Sequence, residues 1–287
     1  MSQLQPGNAS SLHLRSLHRP GQPLIIPNIW DLSSLHALLS LNTTSHAPVR
    51  AVATASFAVA ATLGLPDAAL SHGANLIRIR QLAPAVRAAG LPLTVDVQDG
   101  YGPRLASVIR DVVAAGAAGA NLEDLRGGDD DEIGGSRLYG PEEQAGRLRL
   151  AMEVAAEAGS PDFVLNARCD VFNPASYASS AEMPEASELM AEAVRRGKAY
   201  LGAGATTVYY WGGAQRGLRD EEVRTLIKEL GGWINVKLGS GPGALTTEQL
   251  AQMGVARITV GPELYRLAMK AIKNGAERIL GGGGLHE

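Results

Sequence analysis

The chain has one cysteine, Cys169, few aromatic residues and no excess of either charge, and each shortage excludes a class of protein. A lone thiol forms no internal disulfide and no cysteine-based zinc site, so the fold requires no oxidising compartment. No segment approaches the roughly 18 uncharged apolar residues of a membrane-spanning helix, which argues against a membrane role. The 26 basic residues are matched by 29 acidic ones, leaving no cationic surplus for a phosphate backbone and so no nucleic-acid partner. What is plentiful is hydrophobic residues, 45% of 287, and glycine, 34 in all, against charged residues at only 19%. That balance excludes disorder and a fibrous fold. It suggests tight turns around a large buried sheet in an enzyme-sized globular chain.

Acidic residues are missing from the first thirty positions, where Arg15 and Arg19 stand among serines and leucines. That composition overlaps with mitochondrial transit peptides. The alternative is a short capping helix over 10–17, halted by Pro20 and Gly21. No secretory core is present, so a cytoplasmic location is expected, with a mitochondrial address as the alternative.

Eight short apolar runs recur: Leu24–Pro27, Ala51–Thr54, Leu93–Asp96, Ala120–Glu123, Val164–Ala167, Thr207–Tyr210, Trp233–Lys237 and Arg257–Val260. Between them lie amphipathic stretches with helix signals, among them Asp31–Leu41, Leu105–Ala115, Pro141–Ala158, Pro184–Gly202, Asp220–Leu230, Thr246–Met253 and Pro262–Leu280. Parallel neighbours need a crossover of about a dozen residues or more, and about 36 residues per unit supply one. The alternation therefore predicts an α/β fold, a (β/α)8 TIM barrel. A doubly wound sheet is the rival. No Gly-x-Gly-x-x-Gly follows the first strand and no linker divides the chain, which favours a single barrel domain over 1–287. A capping segment over 1–22, an exposed mobile loop over Gly127–Gly135 and a flexible glycine-rich tail over 281–287 complete the expectation.

In such a barrel the site is assembled at the carboxyl ends of the strands. Here those ends are acidic: Asp96 with Gln98 and Asp99, then Glu123 and Asp124, then Arg168, Cys169 and Asp170. Asp96 and Glu123 in one cleft would repel each other without a cation between them. Hard oxygen donors with no His or Cys nearby select Mg2+, or Mn2+, over zinc. Such an ion keeps several waters, one of which Gln98 could hold, and leaves places for a 2-oxo or 2-hydroxy acid. The competing reading is that these acids cap the following helices, which accounts readily for Asp31 and Asp124.

Arg168 closes an otherwise apolar run and needs an anionic partner, either a substrate carboxylate or an internal salt bridge to Glu123 or Asp170. Cys169 reads as a small core residue. Ser56, just past Thr54, sits where a hydroxyl and backbone N–H groups could bind a carboxylate or cap a helix. The glycines around Tyr101, Gly100 and Gly102, allow close approach of backbone to a ligand or a sharp turn.

Six segments, 27–31, 51–67, 95–102, 120–124, 166–170 and 250–261, together resemble the isocitrate lyase and phosphoenolpyruvate mutase superfamily, most closely its phosphoenolpyruvate mutase-like branch. The resemblance implies a (β/α)8 barrel whose last helix is exchanged between subunits of a homotetramer or homodimer. It also implies a Mg2+-dependent site for a small carboxylic acid. By position it makes Asp96 and Glu123 the metal-site residues and Arg168 the substrate-binding arginine. It makes Ala55, Ser56 and Phe57 the turn that binds the substrate carboxylate, with Asp67 near the pocket; Thr54, Tyr101 and Gly102 are further candidate substrate contacts.

There are two departures. Gln98 stands where many members have a second aspartate. The stretch 125–139 holds no Lys-Lys-Cys-Gly loop, which disfavours isocitrate or methylisocitrate cleavage, although Arg126, Arg137 or Tyr139 could still close over a ligand. The expected activity is carbon–carbon lysis, hydrolysis or decarboxylation of an oxaloacetate-like acid through an enolate-like intermediate. Phosphorus–carbon chemistry, a non-catalytic ligand-binding barrel and an unrelated metal-dependent aldolase are the alternatives.

Overall fold

The computed structural model describes residues 6–127, 137–177, 183–212 and 217–284. Its strands are β1 (Leu24–Ile26), β2 (Asn28–Ile29), β3 (Val52–Thr54), β4 (Leu93–Asp96), β5 (Gly119–Glu123), β6 (Val164–Cys169), β7 (Thr207–Tyr210), β8 (Ile234–Lys237) and β9 (Arg257–Thr259). Every pairing is parallel, in the order β1-β9-β8-β7-β6-β5-β4-β3-β2. The ends of that list, β1 and β2, are one extended run broken at Pro27, which has no N–H to give a ladder. Leu24 to Ile26 face β9 while Asn28 and Ile29 face β3, so this run closes the ring. The architecture is the (β/α)8 barrel, and its cyclic order excludes the doubly wound sheet.

The α-helices are α1 (Pro6–Ser16), α2 (Leu32–Leu39), α3 (Ser56–Thr62), α4 (His72–Ala88), α5 (Leu105–Ala114), α6 (Pro141–Glu157), α7 (Ala186–Gly202), α8 (Asp220–Leu230), α9 (Thr247–Met253) and α10 (Glu263–Leu280). Their boundaries follow local chemistry. Asp31 caps α2 by accepting from the Ser34 N–H at 2.7 Å, and Thr246 caps α9. Gly231 and Gly254 end α8 and α9 in the left-handed conformation.

Side chains alternate along each strand. The outward set, including Val95, Leu122, Leu165, Val208, Val236 and Ile258, joins Leu82, Val108, Leu148 and Leu226 of the helices in the main core. From β4 to β9 the inward set is largely polar, with Thr94 and Asp96, Asn121 and Glu123, Asn166 and Arg168, Thr207 and Tyr209, Asn235 and Lys237, Arg257 and Thr259, whereas β1 and β3 put Leu24, Ile26 and Ala53 on the same face. Arg257 on β9 reaches Asn121 on β5 across the lumen, which fixes the inward sense. Branched apolar residues dominate most barrel interiors, so this lumen is unusually polar.

The capping helix is present as α1. Leu14 packs against Leu24, Ala51, Ala118 and Val164 at the amino ends of the strands, and Arg15 donates to the Phe163 carbonyl at 3.1 Å. At the other end, the N–H groups of Gly281, Gly282 and Gly283 bond back to the last turn of α10. Positions 285–287 and the part of the acidic loop over 128–135 lie outside the described residues.

Candidate active site

A cavity of about 370 Å3 opens at the carboxyl ends of the strands. Ala55, Ser56, Phe57, Asp67, Asp96, Gln98, Glu123 and Arg168 all line it, so eight of the positions singled out in the sequence share one space. Three do not. Thr54 is fully buried behind the wall, where its Oγ1 accepts from the Asp96 N–H at 2.9 Å. The Tyr101 hydroxyl accepts from Asn75 at 3.0 Å, and the Gly102 carbonyl accepts from Arg147. Tyr101 adopts a left-handed φ of 56°, which turns its ring toward α4 and away from the cavity. None of these three lines the cavity; their hydrogen bonds brace the segments behind its wall.

Asp96 is held on both carboxylate oxygens. Ser56 donates to Oδ2 from its N–H at 3.1 Å and its hydroxyl at 2.9 Å, and the Gln98 N–H approaches Oδ1 at 3.3 Å. Ser56 is thus the first residue of α3 and not its cap, which is Ala55. The Gln98 side-chain amide donates to the Asp67 carbonyl at 2.9 Å and carboxylate at 3.3 Å, linking two acidic segments at the cavity wall. Its backbone sits at φ 51°, a left-handed value that a long side chain tolerates only when its surroundings enforce it.

Arg168 meets both internal partners. Nη1 lies 2.7 Å from Glu123, while Nη2 and Nε reach Asp170 at 2.8 and 3.1 Å. Burial disfavours the guanidinium charge, but Asp170 and Glu123 outweigh it and hold the group firmly protonated. Burial pushes the Glu123 carboxyl well up even though Arg168 opposes it, and burial followed by Asp96 pushes Asp67 up. Glu123 and Asp170 contact the Arg168 guanidinium, and the Asp96 and Asp67 carboxylates lie near enough to interact with it electrostatically.

That surplus of negative charge and the all-oxygen donor set suit a hard divalent cation. No three His, Cys, Asp or Glu side chains among the described residues converge to hold a metal unaided. Mg2+, which retains most of its waters and takes one or two carboxylates, matches that arrangement, whereas a closed zinc site does not.

Asp124 is not a helix cap. It is fully buried, accepts from Tyr200 at 2.6 Å and Asp170 N–H at 2.8 Å, and pairs with Arg196 at 2.9 Å. Cys169 is buried, as a core residue should be, and burial pushes its thiol up.

The cavity is also lined by residues that the sequence reading missed: Asn121 on the same strand as Glu123, and Tyr209, Trp211, Lys237 and Arg266 from β7 to α10. Lys237 pairs with Glu263 at 3.1 Å, and Arg266 pairs with the same carboxylate while covering the Phe57 ring at 4.8 Å. Arg126 and Arg137, at the two ends of the acidic loop, also reach the cavity. The pocket is acidic on the β3–β5 side and basic on the β8–α10 side. The polar alternation of the strands was the available signal for Asn121, Tyr209 and Lys237, and it was hidden inside runs read as apolar.

The sequence matches the phosphoenolpyruvate phosphomutase family over residues 14–280. A phosphonomutase candidate from Burkholderia cenocepacia J2315 superposes with a TM-score of 0.78 at 32% identity, covering 96% of this chain and all of that one. An uncharacterized Mycobacterium tuberculosis protein is 26% identical over 272 residues, 94% of this chain and 90% of its own. The 2-methylisocitrate lyase of Escherichia coli K12 is 29% identical over 217 residues, 68% of this chain and 62% of its own.

Proposed function

The chain belongs to the phosphoenolpyruvate phosphomutase family, and on that footing we propose that it is a Mg2+-dependent lyase-type enzyme acting on a small 2-oxo or 2-hydroxy carboxylic acid. The reaction is cleavage of a carbon–carbon bond, or hydrolysis or decarboxylation of an oxaloacetate-like acid, through an enolate-like intermediate. The observation that carries this reading is the confinement of Asp67, Asp96, Glu123 and Arg168 to one cavity at the mouth of the barrel.

Asp96 and Glu123 are the residues that would hold the ion, with Gln98 and Asp67 beside them. Once bound, Mg2+ supplies Lewis-acid polarisation of the substrate oxygens. Arg168, clamped from behind by Asp170, presents a fixed cation to the carboxylate or to the oxygen on which charge develops. A charge that is already oriented needs no reorganisation at the moment of reaction, which is the main source of such stabilisation. The Ser56 N–H and hydroxyl hold Asp96 in place, while Ala55 and Phe57 shape the turn beside it. Lys237 and Arg266 offer positive charge to a second anionic group on the far side of the same cavity.

That basic wall also favours a second reading, phosphorus–carbon chemistry on a phosphonate analogue of the same acids. The proposal extends to a homo-oligomer with α10 exchanged between subunits. It is supported by Leu267 and Ile272 of that helix, which stand 61% and 63% exposed, and by the absence of any buried residue along its length. Sedimentation velocity tests it, and a monomer would refute it.

The activity is tested by a turnover panel of oxaloacetate, 2-methylisocitrate, substituted malates and phosphonopyruvate, with and without Mg2+, using Arg168→Ala as control. A Mg2+-requiring product that disappears in the variant supports the lyase reading, and turnover confined to phosphonopyruvate supports the second. Silence with Mg2+ binding retained points to another acid, and silence without it to a non-catalytic barrel.

A further inference from the structure

Below the cavity floor, the barrel lumen carries a positive charge that no described side chain balances. Arg257 on β9 has 0% of its surface exposed. Its Nη2 makes one long hydrogen bond, 3.4 Å to Asn121 Oδ1, while Nε and Nη1 have no partner among the described residues. Asn235, its register neighbour on β8, is equally buried, and neither its Nδ2 nor its Oδ1 is engaged. Nearby, Asn166 donates to Asn121 at 2.6 Å and Thr207 donates to Asn166 at 2.7 Å, while the Thr94 hydroxyl has no partner among the described residues. They bring no negative charge.

Burial lowers the Arg257 guanidinium to about 9, still above neutral pH. His18, beneath the barrel, responds to it: burial, and after it Arg257, pushes that imidazole down to about 3. A buried cation is costly unless it is paired, and a water can satisfy its N–H groups without neutralising it. Three free N–H donors around a guanidinium and an amide form a donor set for an anion and repel a metal cation.

We propose that Arg257 and Asn235 form an internal anion site in the barrel core, one layer beneath the cavity floor, that takes a small monoanion of the chloride class. The site is separate from the acidic cluster of Asp96 and Glu123, and Arg257 does not line the cavity. By neutralising β9 where it meets β1, the anion strengthens the closure of the ring.

Thermal unfolding of the full chain without substrate is followed as chloride or bromide replaces gluconate at constant ionic strength. The expected result is a saturable rise in Tm, about 5 °C at a hundredfold excess over Kd, with either halide and none with gluconate. Arg257→Met removes the charge at similar volume and abolishes the halide response. Crystals grown in bromide are expected to show an anomalous peak at Arg257 Nε and Nη1 and Asn235 Nδ2. A wild-type Tm indifferent to halide, a response that survives in Arg257→Met, or water in place of the anomalous peak would each overturn the proposal. If the variant does not fold, the bromide crystal decides alone.

Discussion

Arg168 Nη1 lies 2.7 Å from Glu123 Oε2, across the register at which β5 and β6 pair. The ion pair joins the residue assigned to the substrate with one assigned to the metal, so neither can be altered without releasing the other's charge. Asp170 holds the same guanidinium from the opposite side.

Arg168→Ala is expected to lower kcat/KM by about 10^2–10^3-fold through loss of the fixed cation. It also leaves Glu123 and Asp170 without their partner, at a cost of about 3 kcal/mol in a urea titration. Arg168→Lys should recover part of the stability but little activity, because an ammonium cannot engage both carboxylates in a fork. Full activity in either variant would remove Arg168 from the mechanism.

Ser56→Ala keeps the backbone N–H on Asp96 and deletes the hydroxyl contact. Metal affinity should weaken by about tenfold, as is usual when a residue supporting a ligand is lost. Calorimetric titration with Mg2+ after chelation measures it, and an unchanged Kd would show that Asp96 needs no such support.

Gln98→Asp places a fourth carboxylate on the cavity wall, beside Asp67 and Asp96, at a left-handed position that aspartate accepts better than most residues. The expected outcome is a lower Tm without Mg2+, through repulsion, and a larger Tm gain on adding it than in the wild type. Equal gains would mean that the extra charge does not reach the ion.

Asp124→Asn uncouples Arg196 and Tyr200 from their buried carboxylate. A loss of about 3 kcal/mol is expected, with Mg2+ binding retained, since Asp124 pairs with α7 and does not itself line the cavity. Loss of metal binding at full stability would place Asp124 in the site.

His18 sets a pH dependence of stability. Its folded-state pKa, about 3, lies below the ordinary 6.5, so the unfolded chain binds the extra proton. Its contribution is complete above pH 6.5 and falls by about 1.4 kcal/mol per unit as pH drops toward 3. Urea midpoints at pH 7.5 and 5.0 should differ less in His18→Gln than in the wild type. Identical differences would show that His18 does not carry the effect.

Much of the site could be read in the sequence because catalytic groups of a barrel stand at strand ends, and strand ends are local features. Asp96, Glu123 and Arg168 were found that way, and Ser56 by its place after Thr54. Pro27 was included in the first strand, but its break, which lets one run serve two neighbours, follows from ring closure. Lys237 was placed at the end of its run without a role, and Arg266 was read only as a helical residue. Their pairing with Glu263 joins elements that only the closed ring brings together.

By itself the sequence determined the α/β alternation, the Asp31 cap, the family and the acidic strand ends, all of which depend on spacing of a few residues. The tertiary structure decided which carboxylates share the cavity, that Thr54, Tyr101 and Gly102 stand behind its wall, and that Arg257 is buried without a counter-charge among the described residues. Those facts depend on distances across the barrel, between residues far apart in the chain, and side-chain spacing along a strand carries no information about them.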